Sequence, residues 1–197
     1  RSLDDRWGIT TSLYNLGELA YLQGRNDEAL ALLEESCEVS REIGYHLATA
    51  AALNRLGDLK RVQGEAQEAE DHYRAALRVS QGTENKNRVA TSLQGLARLS
   101  LDRGDAAAAR KHLLRALHLA VPPPTTLDTL SELVGVLAVE GEQGAALDLT
   151  LFVRDHAATG REARDRMADQ VEAWERDMLP GTIDRIAART SPRTLEE

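Results

Sequence analysis

The residue types in this chain that could do chemistry are five histidines, one cysteine and 32 carboxylates. His46, His72, His112, His118 and His156 show no zinc-ligand pairing. The nearest two, His112 and His118, are six residues apart and fall on different faces of a helix. Cys37 has only Arg41 as a nearby basic residue and sits in a helical pattern, so it reads as a buried structural thiol. A lone cysteine also excludes an intramolecular disulfide and fits a reducing, cytoplasmic setting. The acids fall at helix starts and solvent positions. The sequence holds no phosphate-cradling G-x-x-x-x-G-K-[ST] loop, nucleophile elbow or paired-carboxylate motif. The reading is a non-catalytic chain with no metal and no cofactor.

The elements that would position any site come from internal repetition, which is settled before local motifs. The stretch Leu16–Leu33, LGELAYLQGRNDEALALL, recurs at Leu56–Tyr73 as LGDLKRVQGEAQEAEDHY and at Leu96–Leu113 as LARLSLDRGDAAAARKHL. Each copy is an apolar helical stretch, a glycine, a short polar turn and an alanine opening a second helical stretch. With 42% hydrophobic and only 4% aromatic residues, and few β-branched runs, the composition favours an all-helical protein. The net charge of −8 argues against a general nucleic-acid binder, which needs a clustered basic face. The C-terminal arginines are interleaved with acids and read as a mixed, solvated surface. No apolar run approaches the ~20 residues needed to span a bilayer, so no membrane partner is expected. The chain starts at Arg1, inside an amphipathic pattern, which predicts a piece of something longer.

Taken in order, the first helix is expected over Asp5–Leu22, with Leu13, Leu16 and Leu19 as core and Trp7 anchoring its start. Gly17 and Gly57, with Ala97 in the third copy, mark a place where another backbone must come close; glycine there costs about 1 kcal/mol against alanine. Gly24, Gly64 and Gly104 are helix stops, cheapest as glycine in the left-handed conformation. Further breaks are expected at Gly44 and Gly82. The second helices begin near Asp27, Gln67 and Ala106. Ala29, Ala69 and Ala109 face the hairpin partner, Leu33, Tyr73 and Leu113 fill each core, and Ser36, Ala76 and Ala116 complete the stripe. After VPPPTT a fourth, degenerate copy starts near Thr126. Its spacing shortens to 37, so that Leu133 matches Leu96 and Gly141 matches Gly104. Its second helix shows Ala145, Ala146, Leu149, Phe152, Val153 and His156 on one side. From Arg161 to Leu179 the repeat is lost, but Met167, Val171, Trp174 and Met178 make one apolar face, read as a capping helix ended by Pro180. A short further helix is expected over Gly181–Arg189 with Ile183 and Ile186 inward, and the tail after Thr190 has no core signal.

The L-G pairs at Leu16–Gly17 and Leu56–Gly57, the glycine seven residues on, the alanine five after that and the large residue at Leu33, Tyr73 and Leu113 resemble the tetratricopeptide repeat. The period is longer than the usual ~34 residues. The phrase NLGELAYLQGRNDEALALLEES, Asn15–Ser36, is similar to the long-period arrays of bacterial signal-transduction ATPases and transcriptional regulators of the NB-ARC type. The closing stretch Leu179–Glu197 is also similar to the end segment of such proteins. The family's first-helix tyrosine is replaced here by Ala20, Lys60 and Leu99 or Ser100, and no proline closes the repeats. The resemblance implies a right-handed α-solenoid of about four helical hairpins over residues 1–160, followed by the capping helix, short helix and tail over 161–197.

In such arrays the first helix of each pair lines a concave groove. Carried over by position, this implies a groove made by Tyr14, Glu18 and Tyr21, then Asn54, Asp58 and Arg61, then Gln94 and Arg98, and last Ser131. That mixed polar surface suits an extended peptide or a partner helix. The bland alternative is a set of solvated helix faces. Asn54 and Arg98 match part of a carboxylate clamp known in the family, but its lysines are missing. The expected function is a protein- or peptide-binding sensor of a larger regulator, with possible intramolecular contact to an attached ATPase. Rival readings are a small-molecule inducer sensor, which the low aromatic content opposes, and a self-associating array stacked through its N-terminal face.

Overall fold

The computed structural model describes residues 3–119 and 121–177. Among the described residues the chain is nine α-helices with no strand: α1 (Leu3–Leu22), α2 (Asn26–Glu42), α3 (His46–Val62), α4 (Ala66–Gly82), α5 (Lys86–Asp102), α6 (Ala106–Leu117), α7 (Pro123–Val139), α8 (Gln143–Asp155) and α9 (Arg161–Asp177). They stack as antiparallel hairpins into a right-handed superhelix. The first helices of the hairpins, α1, α3, α5 and α7, pack on one another in succession and form the inner layer, while α2, α4 and α6 lie outside.

The turns follow from backbone chemistry. Gly24, Gly44, Gly64, Gly104 and Gly141 all hold φ between 69° and 80°, the left-handed region that only glycine enters cheaply. Each lets the next residue's N–H reach back over the helix end, as Arg25 does to the Ala20 carbonyl at 2.9 Å and Glu65 to that of Lys60 at 2.9 Å. The turn after α4 differs from expectation. Gly82 ends the helix, but the left-handed residue is Glu84, at φ 53°. Asn85 and Asp105 then cap α5 and α6, accepting from the Arg88 and Ala108 amides at 2.9 and 2.8 Å.

The expected hairpin core is present. Ala29, Ala69, Ala109, Leu33, Tyr73, Leu113, Ser36, Ala76 and Ala116 are all buried. The small residues of the first helices are a packing demand. A Cβ on Gly17 would lie 2.8 Å from the Leu33 Cγ, and one on Gly57 would lie 2.7 Å from the Tyr73 ring. The same ring presses on Gly95, which local spacing does not single out.

Several expectations are corrected. Leu16 and Leu19 are about half exposed, whereas their counterparts Leu56 and Leu59 are buried at 2% and 0%. In α3 and α5 this face is covered by the preceding hairpin; among the described residues nothing covers it in α1. Trp7 is also half exposed and stacks on Tyr45, ring centroids 5.4 Å apart, rather than entering a core. The first turn of α7 takes in Pro123 and Pro124, because a missing N–H costs nothing at a helix start, so the helix begins before Thr126. In α8 the buried residues are Ala146, Leu147, Thr150, Leu151 and Val153. Ala145 is exposed, and His156 lies past the helix end. The stripe turns because α8 is flanked by both α7 and α9. From α9, Met167, Val171 and Trp174 join Leu127, Leu147 and Leu151 in one cluster, as the apolar face of a cap requires. Met178, Pro180, the helix expected at Gly181–Arg189 and the tail lie outside the described residues.

Candidate functional site

The inner layer carries a ladder of alternating charge that crosses four helices. Arg55 on α3 pairs with Glu18 on α1 and, at 3.1 Å, with Asp58 one turn along its own helix. Asp58 accepts from the Tyr73 hydroxyl at 2.8 Å and from Arg98 on α5 at 3.2 Å. Arg98 continues to Glu132 on α7, with Nε 3.7 Å from the carboxylate. Arg61 pairs separately with Asp102 at 2.8 Å. Tyr21 lies under the Arg55 guanidinium, 5.1 Å from its ring centroid.

The electrostatics hold the Arg98 guanidinium and the Tyr73 hydroxyl of this ladder in their protonated forms. Burial alone would lower the pKa of Arg98, but the carboxylates of Asp58 and Glu132 outweigh it and keep the guanidinium charged. Burial, and then the Asp58 carboxylate, push the Tyr73 hydroxyl far above the phenol range, so it stays a donor. Burial also raises Tyr14, whose hydroxyl shares a hydrogen bond with Arg55.

The nominated residues therefore divide. Glu18, Asp58 and Arg98 are brought together in the ladder through Arg55, while Arg61 lies apart in a surface pair with the exposed Asp102. Asp58 is only 6% exposed, against the expectation that the acids sit in solvent positions. Gln94 is also spent internally, donating to the Thr129 hydroxyl at 2.9 Å. Ser131 is buried. Asn54 stands apart: it is 5% exposed, yet neither its amide nitrogen nor its amide oxygen has a partner among the described residues. Tyr14 and Tyr21 are half-buried on α1.

Beside Tyr14 the inner layer opens into a cleft of about 590 Å³ between the middle of α1 and the N-terminal halves of α3, α5 and α7. It is lined by Thr11, Tyr14 and Asn15 from α1, Leu47, Ala48 and Ala51 from α3, Asn87, Arg88 and Thr91 from α5, and Thr125 from α7. Tyr45 and Asn85 close it from the turns. Asn54 follows Ala51 by one turn of α3. Position-matching with the middle of each helix missed Arg55, Glu132 and the cleft residues Asn15, Asn87, Arg88 and Thr91. The i,i+3 spacing of Arg55 and Asp58 was a usable signal; Glu132 was hidden by the shortened fourth repeat. Among the described residues no three His, Cys, Asp or Glu side chains gather where they could hold a metal ion, and Cys37 is buried. Nor is any described helix long and apolar enough to cross a membrane.

The family model for the tetratricopeptide repeat matches residues 8–81 and 48–120, spanning α1 to α6 and so three of the four inner helices. The chain belongs to the tetratricopeptide-repeat family. Such repeats generally mediate protein–protein interaction and are generally non-catalytic scaffolds. No curated protein matches the chain in sequence. Among solved structures it is similar to the apo form of RapI, with a TM-score of 0.70 at 14% identity, covering 96% of this chain and 69% of that one. BtubC (BKLC) from P. vanneervenii gives 0.59 at 22% identity, covering 87% of this chain and 66% of that one. A putative kinesin light chain with nearly identical tetratricopeptide-like repeats, from Podosopora anserina, gives 0.61 at 19% identity, covering 93% and 97%. At such identities the likeness is one of fold. The chain spans about two thirds of the length of RapI and BtubC.

Proposed function

We propose that the inner groove binds an extended protein or peptide segment, gripped through Asn54 and the neighbouring cleft. The unpartnered Asn54 amide is the observation that carries this reading. A buried amide left without partners costs about 1–3 kcal/mol. Its donor and acceptor edges, covered in the free chain, complement a peptide bond once the side chains over them shift aside. We further propose that the chain is the sensor or regulatory part of a larger bacterial signalling ATPase or regulator and works in the cytoplasm. The resemblance of Asn15–Ser36 to the arrays of such proteins supports that part. In this reading residues 1–160 are the repeat array and 161–197 its cap.

The test is a library of acetylated, amidated 12-residue peptides screened against the chain and against Asn54→Ala. Peptides held by the first and lost by the second are expected. An empty screen, or binders indifferent to Asn54, contradicts the groove. The regulatory part is tested by the ATPase rate of the full-length protein, which should change when a selected peptide is added. Self-association is a second reading, favoured by the exposed Leu16, Leu19 and Leu22 on one helix. Sedimentation showing a monomer at every concentration would exclude it.

A further inference from the structure

The net charge of −8 is not spread over the cleft. Among the described residues its lining contains no carboxylate, and Arg88 is its one charged side chain. The other arginines of the inner layer are spent: Arg55 on Glu18 and Asp58, Arg61 on Asp102, Arg98 on Asp58 and Glu132. No ion pair joins Arg88 to a carboxylate among the described residues. Around it stand neutral groups able to donate: the Tyr14 hydroxyl, close enough to feel the Arg88 charge, and the Asn87 side-chain amide, while the Thr91 hydroxyl is spent on the Asn87 carbonyl at 3.0 Å. An unpaired guanidinium in a concave, half-enclosed site beside such donors fits a carboxylate geometrically and electrostatically.

We propose that the segment bound in this cleft carries a carboxylate that pairs with Arg88. This rests on the groove reading above and gives it a ligand class: an acidic peptide. The carboxylate is supplied by an Asp or Glu side chain or by a chain terminus, and both make the same forked contact.

The same peptide library tests this, with a second copy carrying free C-termini. Both are screened with the wild-type chain, Arg88→Gln and Asn54→Ala. Arg88→Gln breaks no ion pair among the described residues, so its thermal melt is expected to match wild type. Wild-type binders should be enriched in Asp and Glu, lose about tenfold in affinity on Arg88→Gln, and weaken with added salt. Enrichment in the amidated library assigns the carboxylate to a side chain; binding only in the free-terminus library assigns it to the terminus. Binders with no acidic preference and equal affinity for Arg88→Gln overturn the proposal while leaving the groove standing. If neither library yields a wild-type binder, the groove reading fails and this proposal falls with it.

Discussion

Asn54 separates function from stability at the scale of a single residue. Its amide is buried without partners, so replacing it by leucine of similar volume removes a desolvation cost. Asn54→Leu should raise stability by about 1 kcal/mol and abolish peptide binding. A destabilised Asn54→Leu would mean that the amide is satisfied in the free chain. The histidines give a pH signature. Burial lowers the pKa of His72, helped by Lys60, and that of His112, helped by Arg115 and Lys111. Their folded pKa values therefore lie below the unfolded value of 6.5. Above that value both states are neutral and nothing is lost. As pH falls below it the unfolded chain takes up protons first, so stability declines. Glu70 is held low by its hydrogen bond to Arg103, and its contribution is lost in a lower window, below the ordinary 4.5. Denaturant melts against pH should show a first decline starting near 6.5, which His72→Gln with His112→Gln removes. Asp58 shows why part of the site was illegible in the sequence. Its partners Tyr73 and Arg98 lie 15 and 40 residues away, and no local spacing announces them.

The hairpins themselves were legible, because the same physics acts three times at one spacing. Small residues at Gly17, Gly57 and Ala97, the left-handed glycines and the Ala29, Ala69 and Ala109 stripe all lie where the repeat predicted. The exceptions have causes within the elements. The α8 stripe turned because α9 covers a second side of that helix, a contact that a repeat template does not contain. The turn after α4 broke the glycine pattern: Glu84 holds φ 53° where the matching turn has Gly44 at 69°. A left-handed non-glycine residue is strained by roughly 1–2 kcal/mol. Glu84→Gly is therefore expected to raise stability by up to about 1 kcal/mol, read as a higher melting temperature. An unchanged or lower melt would show that this turn is not strained.

Across the whole molecule, stacking decides which apolar residues become core. Leu16 and Leu56 occupy the same repeat position, yet one is 53% exposed and the other 2%. Leu56→Ala should cost about 2–5 kcal/mol as a cavity in a packed interface, while Leu16→Ala should stay below about 1 kcal/mol. Equal losses would mean that the Leu16 face is covered in solution. The inner layer is held by side-chain ion pairs crossing α1, α3, α5 and α7, which leaves the cleft between the middle of α1 and the N-terminal halves of the other three as a concave, preformed surface.

That surface is tested most directly by hydrogen exchange of the chain with and without a peptide selected from the library. The account predicts slowed exchange at the middle of α1 and the N-terminal halves of α3 and α5, around Thr11–Asn15, Leu47–Ala51 and Asn87–Thr91, with α2, α4 and α6 unchanged. Protection confined to the outer helices, or to the Leu16 and Leu19 face of α1, would contradict it.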